Sequence, residues 1–344
     1  MALRPKLEFY RFKLVSKDEE SKTFRDFAIK ELYERRINSD DQIMRKLFDY
    51  FMNGFVSDIS KSRRIKKQLK IIKTDANIHL DKKPKIDVAK NIISGVISGG
   101  RFGRNGMMSD SSVKAEEANA FGPDKTILQY YYFLLYLPLD YSEGCFIIHS
   151  NSKEETITDM FKEYISSLFK KGDFKKMEIF NFCPEILLNE YKDKAIIKSF
   201  EFRKTYLGSL YTDEDILVRD QLYDVKIEII PKGDKIKLRD IPLFRKLAHE
   251  LNFLNVRQNP DKLYDFGNKK ITVNNPNSKM DRTFEFDDEN FNLTPVVYLN
   301  EHIEKYNNDD TPDFYELNEY CQSLFQEEIL PELRPDLFLK EDER

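Results

Sequence analysis

The feature that most constrains the fold is a pair of apolar, strand-length runs with a short polar connection between them. Tyr130–Leu137 is the longest apolar stretch and ends at Pro138, and Cys145–Ile148 follows after Leu-Asp-Tyr-Ser-Glu-Gly. Two such runs with a Gly-containing connection of this length are typical of a β-hairpin. The pair therefore indicates an antiparallel sheet.

Other segments place helices among further strands. Alternating apolar and polar residues predict a strand over 7–14, and Pro-Lys-Gly-Asp predicts a second hairpin over 225–238. Amphipathic patterns predict helices over about 22–36, from Asp40 through Phe55, from Ser152 to Gly172, and from Thr311 to Pro331. Because hairpins and helices are mixed rather than strictly alternating, we expect an α+β fold with mainly antiparallel sheets and packed helices.

The length of the chain predicts its division into domains. At 344 residues it exceeds what a single core usually supports, so two domains are expected. A boundary near residue 172 gives an N-terminal α+β domain over 1–172 and a C-terminal α+β domain over 173–334. Residues 335–344 are expected to form an acidic, disordered tail.

Charge is distributed very unevenly, although the formal net charge is only -4. Residues 61–90 hold eleven Lys and Arg against three Asp and Glu, whereas residues 281–344 hold five against nineteen. Such polarity indicates a polyanionic partner, a charged protein partner, or a contact between the two poles. The acidic end has a further interpretation, a solvated amphipathic helix with a frayed tail.

The basic run is the first candidate for binding. On a helix, Arg63, Arg64, Lys66, Lys67 and Lys70 would project cations while Ile65, Leu69 and Ile72 face elsewhere, with residues 63, 66, 67 and 70 sharing one side. Contacts to a phosphate backbone require such a group of cations. The alternative is a solvated helix face whose apolar side packs on the core.

A glycine-rich segment over residues 95–106 is the second candidate. Its first half indicates a strand and its second half a loop, in which backbone N–H groups could turn toward an anion while Arg101 and Arg104 add phosphate contacts. Gly95 and Gly100 have the spacing that opens a P-loop, but Arg101 and Phe102 stand where Lys and Ser or Thr are required. Nucleotide hydrolysis is therefore not expected, and a flexible connection between strands is the alternative.

No catalytic pattern stands out, so we expect no enzymatic activity and no cofactor. The three cysteines and four histidines are scattered without metal-binding spacing, which argues against a zinc site and indicates a reducing, cytoplasmic compartment. No apolar run is long enough to cross a bilayer, so a membrane partner is not expected. For a metal-dependent nuclease, Glu201 and Glu228 are the nearest approximation to the required carboxylates.

Two segments resemble a group of known proteins. Ile97-Ser-Gly-Gly-Arg-Phe-Gly103, and Tyr132-Phe-Leu-Leu-Tyr-Leu-Pro138 with Gly144-Cys-Phe-Ile-Ile148, are similar to stretches in uncharacterised bacterial proteins encoded in anti-phage defence loci. The resemblance implies a cytoplasmic component that senses or binds foreign nucleic acid, often with a partner protein. It assigns no functional residue.

Three hypotheses follow. The first is a non-catalytic nucleic-acid-binding sensor or regulatory subunit that binds DNA or RNA through residues 61–73 and 99–104. The second is a protein-interaction or homo-oligomeric scaffold joined by the basic and acidic poles. The third is a divalent-metal nuclease using Glu201 or Glu228.

Overall fold

A computed structural model gives the fold of the chain. The residues it describes are 5–18, 20–32, 39–71, 83–103, 105–109, 118–151, 156–182, 184–185, 195–208, 221–232, 236–237, 268–275, 280–285, 297–307 and 311–338. The chain divides into two compact units, one of Met1–Phe182 with Val296–Arg344 and one of Cys183–Pro295.

Among the described residues, nine strands form one antiparallel sheet in the first unit. The strands of the chain are β1 (Lys6–Lys13), β2 (Lys61–Ser62), β3 (Lys67–Lys70), β4 (Lys85–Asp87), β5 (Ile92–Arg101), β6 (Gly106–Ser109), β7 (Ala118–Phe121), β8 (Gln129–Tyr136), β9 (Glu143–Ser150), β10 (Glu178–Asn181), β11 (Ile196–Gly208), β12 (Gln221–Ile229), β13 (Asn268–Asn275), β14 (Met280–Glu285) and β15 (Val297–Tyr298). The large sheet has the order β10-β1-β9-β8-β5-β3-β2, with β15 also pairing with β1 and β4 with β5. β6 and β7 pair separately.

Five α-helices lie in the described part of the chain. They are α1 (Phe24–Phe27), α2 (Asp40–Gly54), α3 (Thr158–Leu168), α4 (Phe314–Leu324) and α5 (Leu330–Leu333). Thr23 and Asp26 form a capping box at α1, Ser39 accepts from the Gln42 N–H at α2, and Asp313 caps α4. α1 continues as a π-helical turn over Ala28–Leu32, and Phe325–Ile329 is a π-helical turn between α4 and α5.

One face of the large sheet, the α3 face, packs against α1, α2 and α3. It is closed by aromatic side chains: the Phe133 ring lies 5.4 Å from both Phe51 of α2 and Phe161 of α3. Alternate residues of β8 and β9, such as Phe133 and Phe146, point to this face and are fully buried. Each such ring contributes about 1.5–3 kcal/mol by leaving water, so this layer is the main core of the first unit.

The opposite face, the α4 face, is covered by the end of the chain. Tyr136 of β8 contacts the Phe325 ring at 5.0 Å, and Tyr132 bonds to Asn318 of α4 at 3.0 Å. The sheet is therefore a middle layer with helices on both sides. This arrangement explains why β8 and β9 have continuous apolar sequences, because both of their faces are buried.

The second unit is built on a four-stranded antiparallel sheet in the order β12-β11-β13-β14. Phe200 and Phe202 of β11 and Ile271 and Val273 of β13 are buried, and the intervening residues, Glu201 and Thr272, are polar. The predicted hairpin over 225–238 is wrong in its pairing: β12 pairs with β11, and Lys237 bridges Ile196 at the start of β11. Both segments therefore pair with β11 instead of with each other.

The predicted α+β class is confirmed, with antiparallel sheets and packed helices. The division into units differs from a single boundary at 172, because β10 pairs with β1 and because residues 297–338 return to the first unit. Pro335–Leu337, expected as part of the disordered tail, form a 3₁₀ turn, and 339–344 lie outside the described residues. Among the described helices, none is both long enough and apolar enough to cross a membrane.

Candidate nucleic-acid interface

The basic run forms a β-hairpin and not the helix on which the grouping of its cations was considered. β2 and β3 pair with Lys61 opposite Gln68 and Ser62 opposite Lys67, and Arg63–Lys66 form the turn. The left-handed backbone of Lys66, with φ of 53°, closes this turn. Leu69 is buried opposite Gly99 of β5. This long-range pairing outweighs the helical spacing of the apolar residues.

The hairpin brings together cations that are far apart in sequence. β3 pairs with β5 so that Lys67 lies opposite Arg101 and Lys70 lies opposite Ser98. Directly opposed residues of an antiparallel pair share a face, so Arg101 joins the basic run at the edge of the large sheet. The two predicted candidates, the basic run and Arg101, are therefore neighbours in the structure.

The cations do not share one face, contrary to the arrangement expected for a helix. Side chains alternate along a strand, so Lys67 and Arg101 lie on the α3 face while Lys70, and Lys61 opposite Gln68, lie on the α4 face. Arg63 and Lys66 are exposed in the turn between them. We call Lys61, Arg63, Arg64, Lys66, Lys67, Lys70 and Arg101 the basic edge.

Two members of the basic edge are held by α3. The Lys67 ammonium bonds to the Asp159 carboxylate at 2.7 Å and to the Thr156 carbonyl at 2.8 Å, and its side chain is only 13% exposed. Arg64 pairs with Glu163 at 3.3 Å but remains 80% exposed. Lys67 is therefore committed to the fold, whereas Arg64 makes a weak surface pair that a phosphate could replace.

Four members remain available for a ligand. Arg63, Lys66, Lys70 and Arg101 are exposed, and none of them forms an ion pair within the part of the chain that the structure describes. Arg104, the last of the predicted binding residues, lies outside the described residues. Arg63 and Lys66 lie in the turn of the hairpin, Arg101 lies at the end of β5, and Lys70 lies at the far end of β3 opposite Ser98.

An aromatic ring lies among these cations. The Lys61 ammonium is 4.6 Å from the centre of the Phe102 ring, a cation–π contact. Phe102 is fixed beside the hairpin because its N–H donates to the Lys66 carbonyl at 3.0 Å. Gly103, with φ of 85°, then donates to the Pro123 carbonyl at 2.8 Å. Sequence reasoning did not single out Phe102 for binding, although it follows Arg101 directly.

The glycines before Arg101 serve packing rather than anion binding. Residues 92–101 are strand β5, so the expected phosphate-cradling loop is wrong up to Arg101. A Cβ on Gly99 would lie 2.8 Å from the Ile157 side chain, and one on Gly100 would collide with the Ile127 carbonyl. The absence of side chains lets α3 approach one face of β5 and residues 126–127 approach the other.

In the part that the structure describes, carboxylates of the acidic end accept hydrogen bonds from backbone N–H groups of the same end. Asp313 accepts from the N–H groups of Tyr315 and Glu316, and Glu316 accepts from those of Glu304 and Lys305. Within the described ranges, no ion pair joins residues 297–338 to residues 61–70. Contact between the basic stretch of one copy and the acidic end of another stays a prediction.

Glu201 and Glu228, the residues of the nuclease hypothesis, lie directly opposite each other on β11 and β12. Glu201 bonds to Lys226 and to Arg203, both at 2.7 Å, and the Lys226 hydrogen bond lowers the pKa of this carboxyl. This cross-strand ladder is typical of a solvent-facing sheet surface. The described residues contain no group of three or more His, Cys, Asp and Glu side chains suited to a metal ion.

The described cysteines are not reactive thiols. Cys145 and Cys321 are free and fully buried, and burial raises the pKa of both thiols. A thiol kept protonated in this way is a poor nucleophile and a poor metal ligand. Cys183 lies outside the described residues.

No protein-family model, curated protein or solved structure matches this chain. The geometry of the basic edge is therefore the basis for a functional proposal.

Proposed function

We propose that this protein binds nucleic acid without chemistry of its own, through the basic edge. The observation that supports this best is the pairing of Lys67 with Arg101, which places the end of β5 next to the cations of the hairpin. Arg63, Lys66, Lys70 and Arg101 supply charge for phosphates, and Phe102 supplies an aromatic ring among them.

The likeness to proteins of anti-phage defence loci supports a role as a sensor or regulatory subunit. Non-covalent binding suits such a role, because a sensor needs occupancy rather than turnover. Phosphate contacts make affinity depend on salt, with a slope of log K against log salt of about -0.9 per contact on duplex DNA.

The test compares the parent protein with Arg63/Lys66/Lys70/Arg101→Ala in titrations of fluorescent single- and double-stranded DNA and RNA across a salt series. The matched control is Lys90/Lys170/Lys175/Lys176→Ala, which removes the same charge from exposed lysines outside the basic edge. We expect the first variant to bind about tenfold or more weakly at low salt, and its slope to be shallower by up to about 3.6. The control should bind like the parent.

Equal losses in both variants would reduce the effect to overall charge and contradict a defined interface. Absence of binding to every polymer would refute nucleic-acid binding. If light scattering then showed self-association that weakens with salt, the scaffold hypothesis would take its place.

A further inference from the structure

The end of the chain lies along the sheet as one continuous segment, Asp313–Leu337, which we call the C-terminal strap. Its first helical residue, Phe314, contacts the His149 ring at 6.0 Å, and Phe325 contacts Tyr136 at the other end of β8. Beyond α5, Arg334 bonds to Asp140 in the connection between β8 and β9. The strap is therefore attached at both ends of the hairpin that it covers.

The contact between strap and sheet includes buried polar groups beside its apolar ones. Asn318 Oδ1 accepts from Tyr132 at 3.0 Å and from Ser94 at 3.3 Å, and Gln322 donates to the Ser94 hydroxyl at 3.3 Å. Gln322 Oε1 is buried without a hydrogen-bond partner. On the α3 face, by contrast, the contact between helices and sheet is made by a layer of aromatic rings. Buried polar atoms that are incompletely bonded weaken a contact relative to an apolar one.

His149 lies beneath the start of the strap and is fully buried. Neither of its ring nitrogens has a hydrogen-bond partner, and its neighbours include the Tyr131 and Phe314 rings. A buried imidazole in this state must be neutral, because no acceptor is placed to stabilise its charge. Exposure to water would remove that restriction.

The groups on the surrounding elements do not compensate such a charge. On β1, Lys6 and Glu8 pair with each other at 3.2 Å, and on α4 the Asp313 carboxylate caps the helix. On α4, Glu316 accepts from the N–H groups of Glu304 and Lys305, and Glu319 is exposed. Tyr131 and Tyr132 of β8, Cys145 of β9 and Cys321 of α4 are of types that are neutral at pH 7. Burial alone lowers the pKa of His149 to about 3.

We propose that the C-terminal strap docks reversibly, and that proton uptake by His149 favours its release from the Phe314 end. The proton binds only when the strap has lifted and water reaches the ring. Release uncovers the apolar α4 face, including Leu134 and Ile147. The strap is therefore an acid-sensitive cover over this face of the sheet.

The direction of the pH dependence follows from linkage. A histidine with a lowered pKa in the docked state stabilises docking fully above its ordinary pKa of about 6.5, and this contribution declines as the pH falls toward 3. Lowering the pH from 7.5 to 5.5 should increase the equilibrium constant for release of the strap about tenfold. The Arg334 end should stay docked in this range, because Arg334 lowers the pKa of Asp140 and keeps it charged.

The experiment is hydrogen exchange of the whole protein at pH 7.5 and 5.5, read by mass spectrometry and corrected for intrinsic exchange. We expect amides of residues 315–325 to open about tenfold more at pH 5.5, while those of α3 change much less. His149→Phe should abolish this difference, and His149→Leu provides a second test if the larger ring does not fit. The control is His302→Gln, which replaces the other described histidine, an exposed ring stacked on Tyr320 at 4.9 Å.

Three results would overturn the proposal. The first is equal protection of residues 315–325 at the two pH values. The second is an equal increase in α3, which would indicate global unfolding. The third is loss of the pH effect in His302→Gln with its retention in both His149 variants, which would assign the titration to His302.

Discussion

Arg334 holds Asp140 with both terminal nitrogens of its guanidinium group, at 2.9 and 2.7 Å, across 194 positions of sequence. The same side chain bonds to Asp336 and lies 5.1 Å from the centre of the Tyr141 ring. It is only 5% exposed, whereas Asp140 is 59% exposed. The pair thus combines a buried cation with solvent-facing carboxylates, and it fastens the end of the C-terminal strap.

Replacing Arg334 with Ala should therefore destabilise the first unit. We expect a loss of about 1–2 kcal/mol in the free energy of unfolding, because charge-assisted bonds and ring contact are lost while the carboxylates regain water. Chemical denaturation at pH 7 measures this loss. Arg334→Lys keeps the charge but not the bidentate geometry, so this variant should recover only part of the lost stability. A full recovery would show that charge alone matters.

The Asp140 carboxyl should contribute to stability in a pH-dependent manner. The Arg334 hydrogen bond lowers the pKa of Asp140, so its stabilisation is present above the ordinary pKa of about 3.9 and is lost as the pH falls through the lowered value. Asp140→Asn should consequently flatten the acid limb of stability below about pH 4. Denaturation midpoints from pH 2 to 6 test this. Asp124→Asn, which removes a charge from an exposed position, should keep the parent profile.

Gly100 should tolerate no side chain, whereas Gly122 should. A Cβ on Gly100 would collide with the Ile127 backbone carbonyl, and one on Gly122 meets nothing within 4 Å. Gly100→Ala should destabilise the protein by about 1–3 kcal/mol through forced movement of backbone. Gly122→Ala should change stability by no more than about 0.5 kcal/mol. Thermal unfolding of the two variants measures these changes in stability. Equal losses in Gly100→Ala and Gly122→Ala would contradict the close crossing of residues 126–127 over β5.

Tyr132→Phe should weaken attachment of the C-terminal strap. It removes the hydroxyl that donates to Asn318 and leaves that amide oxygen with Ser94 alone. The expected loss is about 0.5–1.5 kcal/mol of unfolding free energy, accompanied by faster exchange in α4. Tyr315→Phe, at an exposed position on the same helix, is the matched control. Comparable losses in both variants would show that the hydroxyl of Tyr132 makes no special contribution.

Local sequence patterns were sufficient for the elements that short-range chemistry defines. The hairpin of β8 and β9 and the helix beginning after Ser39 lie where alternation, apolar length and capping residues predict them. The α+β class followed from the order of such elements. Each of these features depends on residues close together in the chain.

The residues of the basic edge were candidates from the sequence, but their β-hairpin structure could not be predicted, because two interpretations of one sequence compete. Ile65 and Leu69 fit a helical period, while Lys67 and Leu69 fit a strand, and only pairing with β5 decides between them. Likewise, the glycines of β5 indicate a loop until the crossing segment at Ile127 is known. The contact of His149 with Phe314 spans most of the chain and left no signal in either local sequence.

The return of residues 297–338 to the first unit has a consequence for synthesis. Cys183–Pro295 must be translated between β10 and β15, both of which pair with β1. At ordinary elongation rates this interval lasts on the order of ten seconds. During that time the nascent sheet lacks the strap, and Leu134, Ile147 and their neighbours face solvent or a chaperone. Ribosome-bound chains stalled before residue 297 should therefore recruit holdases that the finished protein does not.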